Sequence, residues 1–445
     1  MIEPRVLKGF RDTLPSVMID KKELIGKLER IFRSYGLTPI DTPALEYTEI
    51  LLGKGGGETD KQIYRFRDNG DRDVSMRFDL TVPLARFVSE HYNELPMPFK
   101  RYHIAPVWRG ENTQKGRYRE FYQCDFDILG SDSIYADIDI LLMIKAGFDA
   151  IQPGEFRINV NHRKVLNAVL RKLGIEDKVT DILRTIDKIY KIGADAVKSE
   201  LGELGLTAIQ VDGIIDYLHL DIAEKGVGIT GDKIFGIIDE LNGQIDDEGK
   251  KWLDQLRLIF TTVKELGIGE CFSYNPAITR GLDYYTGIVF ESFVLDRIQF
   301  GSVCSGGRYD NLTALYSKTP VSGVGASFGL DRLLALLEDK NMLSGRSSDT
   351  DILILNQNAE YMEEYQKAAQ LFRKDGLSAE IFFDGKKIIQ QYKYAEKKTI
   401  RFVILSDENI KNGKVTLKDI AAQKEYVGVD MSEVSGILKN IKGGK

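Results

Sequence analysis

A block of amphipathic helical segments stands between two regions of strand-like sequence, and this order strongly constrains the fold. Between residues 161 and 270 apolar side chains recur at helical spacing, as in VTDILRTIDKIYKIG and EGKKWLDQLRLIFTTVKELG, with short glycine-containing turns between segments. Short alternating runs precede this block from residue 60 to 130, and strand signals return at 276–306. We therefore predict an α+β protein whose sheet core is interrupted by an all-α insertion.

A second change of pattern begins near residue 343. The stretch LSGRSSDT is small and polar, which is typical of a linker, and strand-like and helical segments alternate after it. Such alternation predicts a small layered α/β domain. The predicted domains are residues 1–160 and 271–342 for the two parts of the sheet core, 161–270 for the helical insertion, 343–350 for the linker and 351–445 for the C-terminal domain.

Composition excludes several classes of protein. A hydrophobic content of 43%, a charged content of 29% and a net charge of −6 describe a folded chain that is not a polycation. The three cysteines are far apart, which favours reduced thiols and a cytoplasmic location, and the absence of a CxxC pair argues against zinc. No apolar run reaches membrane-spanning length, so no membrane association is predicted.

The segment REFYQCDFDILG predicts a strand with one polar face. Period-two alternation places Gln123, Asp125 and Asp127 on the same side, opposite apolar neighbours. Arg109 and Arg117 stand close in sequence, and a guanidinium can donate two parallel hydrogen bonds to a phosphate. From these residues alone, a phosphate-ligand site and a solvated strand face remain open as alternatives.

Other segments add polar or glycine-rich features. In MRFDLTVP we expect Asp79 and Thr81 to share one strand face that suits an ammonium group. LGKGGGET does not fit a phosphate-binding loop because Lys54 precedes the glycines, so we interpret it as a loop. GVGASFGLDR predicts a glycine-rich strand before a helix at Arg332, which is compatible with a flat ligand or with tight sheet packing. SVCSGGRYD predicts a glycine turn beside Arg308.

Together these segments resemble motifs 1, 2 and 3 of class II aminoacyl-tRNA synthetases. RGLDYYTGIVFE and SVCSGGRYD resemble the two signature peptides of the histidyl-tRNA synthetase family, and LKGFRDTLP resembles its N-terminal peptide. Residues 351–445 resemble its anticodon-binding domain, so the resemblance covers nearly the whole chain. It implies a class II antiparallel-sheet catalytic core with an all-α insertion and a C-terminal α/β anticodon-binding domain. FDLT and CDFDI resemble the eukaryotic-type branch, which carries aspartate where the family often has glutamate.

The resemblance implies a ligase that activates L-histidine with ATP and transfers it to tRNA-His, with Mg²⁺ accompanying ATP. It also implies a homodimer, because the motif-1-like segment with Pro39 and Pro43 suits an interface strand. One alternative is a non-catalytic, histidine-sensing regulatory paralogue, although such relatives lack the anticodon domain. Another is a sensor of uncharged tRNA, which is normally attached to a kinase, and this chain has no kinase signature.

The resemblance also assigns roles to individual positions. The expected catalytic cations are Arg109 and Arg280. The expected histidine-binding residues are Asp79, Thr81, Gln123, Asp127, Tyr284 and Tyr285. The expected ATP-binding residues are Arg109, Glu111, Arg117, Arg280 and Arg332. The expected tRNA-binding residues are Asn112, Gln114, Lys115, Arg117, Lys387, Lys393 and Lys397, and no protein ligands for a metal are predicted.

Overall fold

The chain divides into two compact units. The computed structural model describes residues 1–53, 61–113, 116–220, 226–279, 285–317, 320–406 and 408–443. The first unit comprises Met1–Arg11 and Leu24–Met342, and the second comprises Asp12–Glu23 and Leu343–Lys445. The finer division into five segments stays a prediction.

The first unit combines strands from both halves of the chain with a long series of helices. Its described strands are β1 (Thr38–Pro39), β2 (Leu45–Tyr47), β3 (Arg65–Arg67), β4 (Asp73–Met76), β5 (Phe99–Trp108), β6 (Glu120–Leu129), β7 (Phe156–His162), β8 (Phe272–Tyr274), β9 (Ile288–Val294), β10 (Cys304–Tyr309) and β11 (Gly323–Gly329). Its described helices are α1 (Pro15–Ser34, which spans the division between the units), α2 (Thr48–Leu52), α3 (Thr81–Glu90), α4 (Ile134–Ile151), α5 (Arg163–Lys172), α6 (Val179–Ile186), α7 (Ile189–Ile192), α8 (Ala194–Glu203), α9 (Ala208–Leu218), α10 (Lys233–Asn242), α11 (Asp247–Glu265) and α12 (Leu330–Asp339).

Within the described residues, eight of these strands form the central sheet in the order β1-β5-β6-β11-β10-β9-β7-β8. Neighbouring strands run antiparallel except for β1 with β5 and β7 with β8. The helices α5 to α11 follow one another between β7 and β8. The antiparallel sheet core with a helical insertion, predicted from the sequence, is therefore confirmed.

Strand β6 shows how the sequence pattern positions the polar face. Its apolar side is packed among aromatic rings: the Phe126 ring centroid lies 4.7 Å from that of Phe32 and 5.8 Å from that of Phe328. Burying a phenylalanine in this way contributes about 1.5–3 kcal/mol, which fixes the register of the strand. The alternate residues Gln123 and Asp127 consequently face the other side of the sheet.

The prediction that Asp79 and Thr81 share a strand face is wrong. Strand β4 ends at Met76 and helix α3 begins at Thr81. The Asp79 carboxylate accepts hydrogen bonds from the backbone N–H groups of Thr81 (3.1 Å) and Val82 (2.9 Å). An aspartate that satisfies otherwise unpaired N–H groups at a helix start stabilises the helix over a continued strand.

The predicted glycine turn in SVCSGGRYD is also wrong, because these residues form strand β10. A Cβ atom on Gly306 would lie 2.1 Å from the carbonyl oxygen of Gly325 on the neighbouring strand, so glycine allows close strand packing rather than a turn. The Arg308 side chain is ion-paired with the buried carboxylate of Asp137 and donates to the Ser131 carbonyl (2.9 Å). It therefore supports the fold.

The second unit is a layered α/β structure, as predicted. Its described elements are β12 (Ile352–Ile354), α13 (Met362–Lys374), β13 (Ala379–Ile381), α14 (Ile388–Lys397), β14 (Phe402–Leu405), β15 (Lys414–Asp419), β16 (Lys424–Asp430) and α15 (Met431–Gly443). They form a sheet in the order β13-β12-β14-β15-β16. On one face, the buried residues of α13 and α15 pack against Ile352 and Ile354, whereas Ala395 of α14 packs with Leu353 on the other face.

Among the helices that the structure describes, none combines the length and apolar character needed to cross a lipid bilayer.

Candidate active site

One cavity of about 370 Å³ in the first unit collects most of the residues singled out in the sequence. This volume is in the range typical of small-molecule sites. The predicted site residues that line it are Asp79, Thr81, Arg109, Glu111, Arg117, Gln123, Asp127, Tyr285 and Arg332. These side chains come from the start of α3, the β5–β6 hairpin, the chain before β9 and the first turn of α12.

The remaining predicted residues lie elsewhere. Asn112 is exposed in the segment between β5 and β6. Lys387, Lys393 and Lys397 are exposed in the second unit, at the start of α14 and along it. Four predicted residues, Gln114, Lys115, Arg280 and Tyr284, lie outside the described residues.

The Asp127 carboxylate is held from two sides. Its Oδ1 accepts a 2.6 Å hydrogen bond from the Tyr309 hydroxyl, and its Oδ2 lies 2.7 Å from Nη2 of Arg101. The three side chains are almost fully buried. Burial raises the pKa of the Asp127 carboxyl, while the Arg101 guanidinium and the Tyr309 hydroxyl favour its charged form. The ion pair thus maintains a charged or strongly polar group on the cavity wall.

Sequence reasoning assigned no role to Arg101 or Tyr309. Arg101 lies directly opposite Asp127 in the β5–β6 ladder, so the same alternation that grouped the acidic residues extends across the hairpin to this arginine. Tyr309 is part of SVCSGGRYD, but its contact with Asp127 depends on β10 and β6 being separated by only one strand, β11. The register of the β5–β6 hairpin could have identified Arg101 as the partner of Asp127. In contrast, no feature of the sequence near Tyr309 indicates that it contacts Asp127.

Asp125 lies between Gln123 and Asp127 on the same strand face and also lines the cavity. Its side chain is almost fully buried, and Oδ1 has no hydrogen-bond partner among the described residues. Burial raises the pKa of this carboxyl to about 7, although the Arg101 guanidinium opposes the shift. Directly opposite, His103 pairs with Asp41 (Nε2 to Oδ1, 2.9 Å), and burial lowers the pKa of its imidazole to about 4.

Arg109 follows the end of β5 and is fixed by its surroundings. Its Nε donates to the Phe78 carbonyl (3.1 Å), and its guanidinium carbon lies 4.4 Å from the Phe78 ring centroid and 5.1 Å from that of Phe121. Glu111 Oε1 lies 3.9 Å from Nη1 of Arg109, and the same carboxylate contacts Arg117. A guanidinium restrained in this way is preorganised to face an anion in the cavity.

The first turn of α12 is anchored by the N-terminal peptide. Nη2 of Arg11 lies 2.7 Å from Oδ1 of Asp331, and the Arg11 guanidinium lies over the Tyr118 ring (3.9 Å to the centroid). Asp331 Oδ2 accepts from the backbone N–H of Tyr122 (2.7 Å), and Nη1 of Arg332 donates to the Ser302 carbonyl (2.6 Å). Arg11, within LKGFRDTLP, therefore supports the wall of the cavity.

The charges of the cavity are distributed along the β5–β6 hairpin. Asp127 pairs with Arg101 in the interior of the hairpin, whereas Arg109 and Glu111 follow the end of β5. An amino acid has a cationic and an anionic group, so the carboxylates can hold its ammonium group while the arginines receive neighbouring anions. This arrangement can orient the charged groups of a ligand.

Comparisons with known proteins agree with this geometry. Residues 9–333 match the family described as histidyl-tRNA synthetase, and residues 350–441 match the anticodon binding domain. The chain is similar to the histidine–tRNA ligase of Treponema denticola, with 45% identity over 454 residues, 100% of this chain and 99% of the relative. It is 44% identical to the histidine–tRNA ligase of Rhodopirellula baltica over 427 residues, 95% of each chain.

A solved structure shares the whole architecture. The crystal structure of histidyl-tRNA synthetase from Nostoc sp. PCC 7120 has a TM-score of 0.88 and 31% identity, covering 99% of this chain and 100% of that chain. The family match spans more than half of the chain, and the relatives align over nearly its full length. The chain therefore belongs to the histidyl-tRNA synthetase family.

Proposed function

We propose that this chain is a histidine–tRNA ligase that works in two steps within the cavity described above. In the first step a carboxylate oxygen of L-histidine attacks the α-phosphorus of ATP, a new P–O bond forms, and diphosphate leaves. In the second step the 3′-terminal hydroxyl of tRNA-His attacks the histidyl carbonyl and AMP leaves. The observation that carries this proposal is the meeting of the acidic strand face with Arg109 and Arg332 in one cavity.

The acidic part of the cavity is the proposed histidine pocket. Asp79, Thr81 and Gln123, which line the cavity, are proposed to receive the α-ammonium group and the body of the amino acid. Asp127 and Tyr285 are proposed to contact opposite nitrogens of the imidazole. A carboxylate has about four lone-pair positions, so Asp127 can accept a further hydrogen bond beside those from its present partners.

The arginine part of the cavity is the proposed ATP site. No enzyme nucleophile is required, because the substrate carboxylate performs the attack; the protein must orient two anions and neutralise developing charge. The α-phosphate is proposed to contact Arg109 and Arg280. The rest of ATP is proposed to lie near Glu111, Arg117 and Arg332. For Arg109, the stacking on two aromatic rings supports this role because it fixes the guanidinium before the ligand arrives.

Mg²⁺ is part of the proposal as the companion of ATP. Magnesium bound with a nucleotide usually takes one or two protein carboxylates and completes its shell with phosphates and water. Glu111 fits this need through its second oxygen: its carboxylate lines the cavity, Oε2 is ion-paired with Arg117, and Oε1 lies 3.9 Å from Nη1 of Arg109. When bound, the ion would neutralise phosphate charge.

The test of this function is ATP–diphosphate exchange measured separately with each standard amino acid. Exchange that depends on histidine alone, followed by charging of tRNA-His, is the expected result. Exchange with another amino acid would reassign the substrate, and silence with all of them would favour the non-catalytic regulatory alternative.

The second unit is proposed to bind the anticodon region of the tRNA. Residues 350–445 contain 16 Lys and Arg residues against 14 Asp and Glu residues, a net charge of +2 in a chain whose total is −6. On α14 and at its start, Lys387, Lys393 and Lys397 are exposed, and none has an ion-pair partner within the ranges that the structure describes. Cations free of carboxylate partners are suited to contact phosphates.

Replacing Lys387, Lys393 and Lys397 together with serine is expected to weaken tRNA-His binding. The slope of log Kd against log salt should fall by about 0.7–0.9 for each phosphate that is no longer neutralised. A matched control replaces Lys367, Lys374 and Lys439 with serine, which removes the same charge from the helices on the opposite face of this sheet. Equal weakening by the two triple variants would show that net charge alone acts, and would contradict a specific role for α14.

A homodimer and a cytoplasmic location are further parts of the proposal. Strand β1 is an edge of the central sheet, and the smaller sheet of β2, β4 and β3 carries three large apolar side chains that are more than 40% exposed: Leu45, Tyr47 and Phe66. Exposed apolar side chains on β2 and β3, the two strands that flank β4, are suited to an interface between subunits.

Sedimentation at micromolar concentration is expected to give the mass of a dimer. The double variant Leu45→Asp, Tyr47→Asp is expected to shift the equilibrium towards the monomer, because it places charges at two exposed apolar positions of β2. The matched variant Leu266→Asp, at an exposed apolar position that ends helix α11, should leave the mass unchanged. A monomeric native chain would refute the dimer.

A further inference from the structure

Asp125 is a buried acidic group in the cavity for which the two-step reaction has so far required no role. It is 3% exposed, and its Oδ1 has no hydrogen-bond donor in the described residues. Of its neighbours on the same strand face, Asp127 has both oxygens engaged, by Tyr309 and Arg101. The Gln123 amide nitrogen donates to Ser327 (3.3 Å), while Gln123 Oε1, like Oδ1 of Asp125, has no donor among the described residues.

A buried carboxylate oxygen without a donor is costly unless a ligand supplies one. Desolvating such an atom without a hydrogen bond costs free energy that the native state must offset elsewhere. The cost at Oδ1 of Asp125 is not reduced by a close ion pair, because the Arg101 guanidinium makes its 2.7 Å contact with Asp127. A group kept in this state on the wall of a substrate cavity is suited to accept a hydrogen bond from the substrate.

We infer that Asp125 is a direct substrate-binding residue, whose open oxygen shares with Asp127 the hydrogen bond donated by one imidazole N–H of histidine, while Tyr285 meets the other ring nitrogen, and so contributes to amino-acid specificity. This inference rests on the proposed function, because it assumes that histidine occupies the cavity. The register of the sheet supports the imidazole as the donor. Asp125 is next to Asp127 on the polar face of β6, while the proposed ammonium site is formed by Asp79 and Thr81 at the start of α3.

Two cross-strand neighbours flank Asp125. Ser327 lies opposite it on β11 and hydrogen-bonds its carboxyl, and His103 lies opposite it on β5. The titratable and charged groups that face Asp125 are Arg101 and His103 from β5, Asp127 from β6, Cys304 and Tyr309 from β10, and Asp79 before α3. Burial has the largest effect on the carboxyl and raises its pKa to about 7.

The test compares Asp125→Asn with the native chain, using two ligands. Asparagine keeps the shape of the side chain but cannot carry the charge. For histidine, the variant is expected to raise KM in ATP–diphosphate exchange by at least about tenfold, since a charged acceptor is replaced by a neutral one. For β-(2-thienyl)-L-alanine, a ring of similar size without N–H, the inhibition constant is expected to change by less than about twofold.

Stability provides a second, independent readout. The folded pKa of Asp125 lies above its unfolded value, so its favourable contribution exists at low pH and is lost as the pH rises through about 7. Asn cannot ionise, and the melting temperature of Asp125→Asn should therefore rise relative to the native chain between about pH 4 and pH 7 and level off above pH 7. As a contrast, Asp137→Asn removes a buried carboxylate outside the cavity that is paired with Arg308, and it should lower the melting temperature.

The outcomes separate this inference from the function on which it rests. If the native chain fails to exchange with histidine, the proposed function is wrong. If the native chain is active but Asp125→Asn leaves the histidine KM within about twofold, Asp125 does not bind the substrate. If Asp125→Asn weakens the binding of histidine and of thienylalanine equally, Asp125 contacts the ammonium group and not the imidazole. If Asp125→Asn has a lower melting temperature than the native chain at pH 8, Asp125 is a structural residue. Either result overturns the inference.

Discussion

Replacing Arg109 with alanine is expected to lower kcat for histidine-dependent ATP–diphosphate exchange by about 10²–10³. The charge on the non-bridging oxygens of the α-phosphate grows as the histidine carboxylate attacks. A fixed cation is therefore worth more in the transition state than in the bound substrate. The Arg109 guanidinium has little freedom, because it stacks against Phe78 and Phe121 and donates to a backbone carbonyl.

Two further variants show whether the rate lost in Arg109→Ala comes from the guanidinium group at this position. Arg109→Lys should recover only part of the rate, because an ammonium group cannot reproduce the two parallel donors of a guanidinium. Arg297→Ala serves as the matched control, since this arginine is ion-paired with Asp339 and does not line the cavity. A loss of only a few-fold for Arg109→Ala would show that the residue supports the cavity wall and takes no part in stabilising the transition state.

Replacing Arg101 with methionine is expected to destabilise the first unit by about 3–5 kcal/mol. Arg101 is fully buried and lies 2.7 Å from the Asp127 carboxylate. Methionine has a similar length but leaves that carboxylate buried without its cation, which costs more than the pair itself contributed. The loss should be seen as a lower midpoint in urea unfolding and a lower melting temperature near neutral pH.

The neighbouring residue gives the control. Lys100 also forms an ion pair, with Asp139 (2.9 Å), but both partners are about one-third exposed. Lys100→Met should therefore change stability by less than about 1 kcal/mol. The double variant Arg101→Met, Asp127→Asn leaves no buried charge unpaired. It should therefore be more stable than Arg101→Met alone and recover much of the lost free energy of unfolding. If it is no more stable, the ion pair contributes through packing and not through charge.

Local pattern is a good guide to the strands of the hairpin and to their faces. The alternation in REFYQCDFDILG separates Gln123 and Asp127 from the residues that pack among phenylalanine rings, and the structure has the same division. That prediction succeeds because a side-chain period of two is a property of any extended backbone. In FDLT the same alternation of apolar and polar residues misleads, because Asp79 caps the helix that follows.

The role of Arg101 is not predictable from its own segment. In FKRYHIAPVW an arginine between aromatic residues is typical of a solvated position on a strand. It is buried because β6, β11 and β10 bring Asp127 and Tyr309 over it, and Tyr309 comes from a part of the chain about 200 residues away. A single sequence gives the faces of each strand but not which distant strand covers them.

The order of strands in the central sheet has a consequence for how the protein is made. Strand β6 pairs with β11, so that Asp127 and Gly325 are partners although about 200 residues separate them. At a synthesis rate of about 5–20 residues per second, β6 leaves the ribosome some 10–40 s before its partner exists. During that interval its hydrogen-bonding edge is open, and the cavity, which residues of both strands line, cannot be complete. The growing chain therefore spends this period with an unpaired, partly apolar strand, which is the stage at which chaperones or premature association have their greatest opportunity to act.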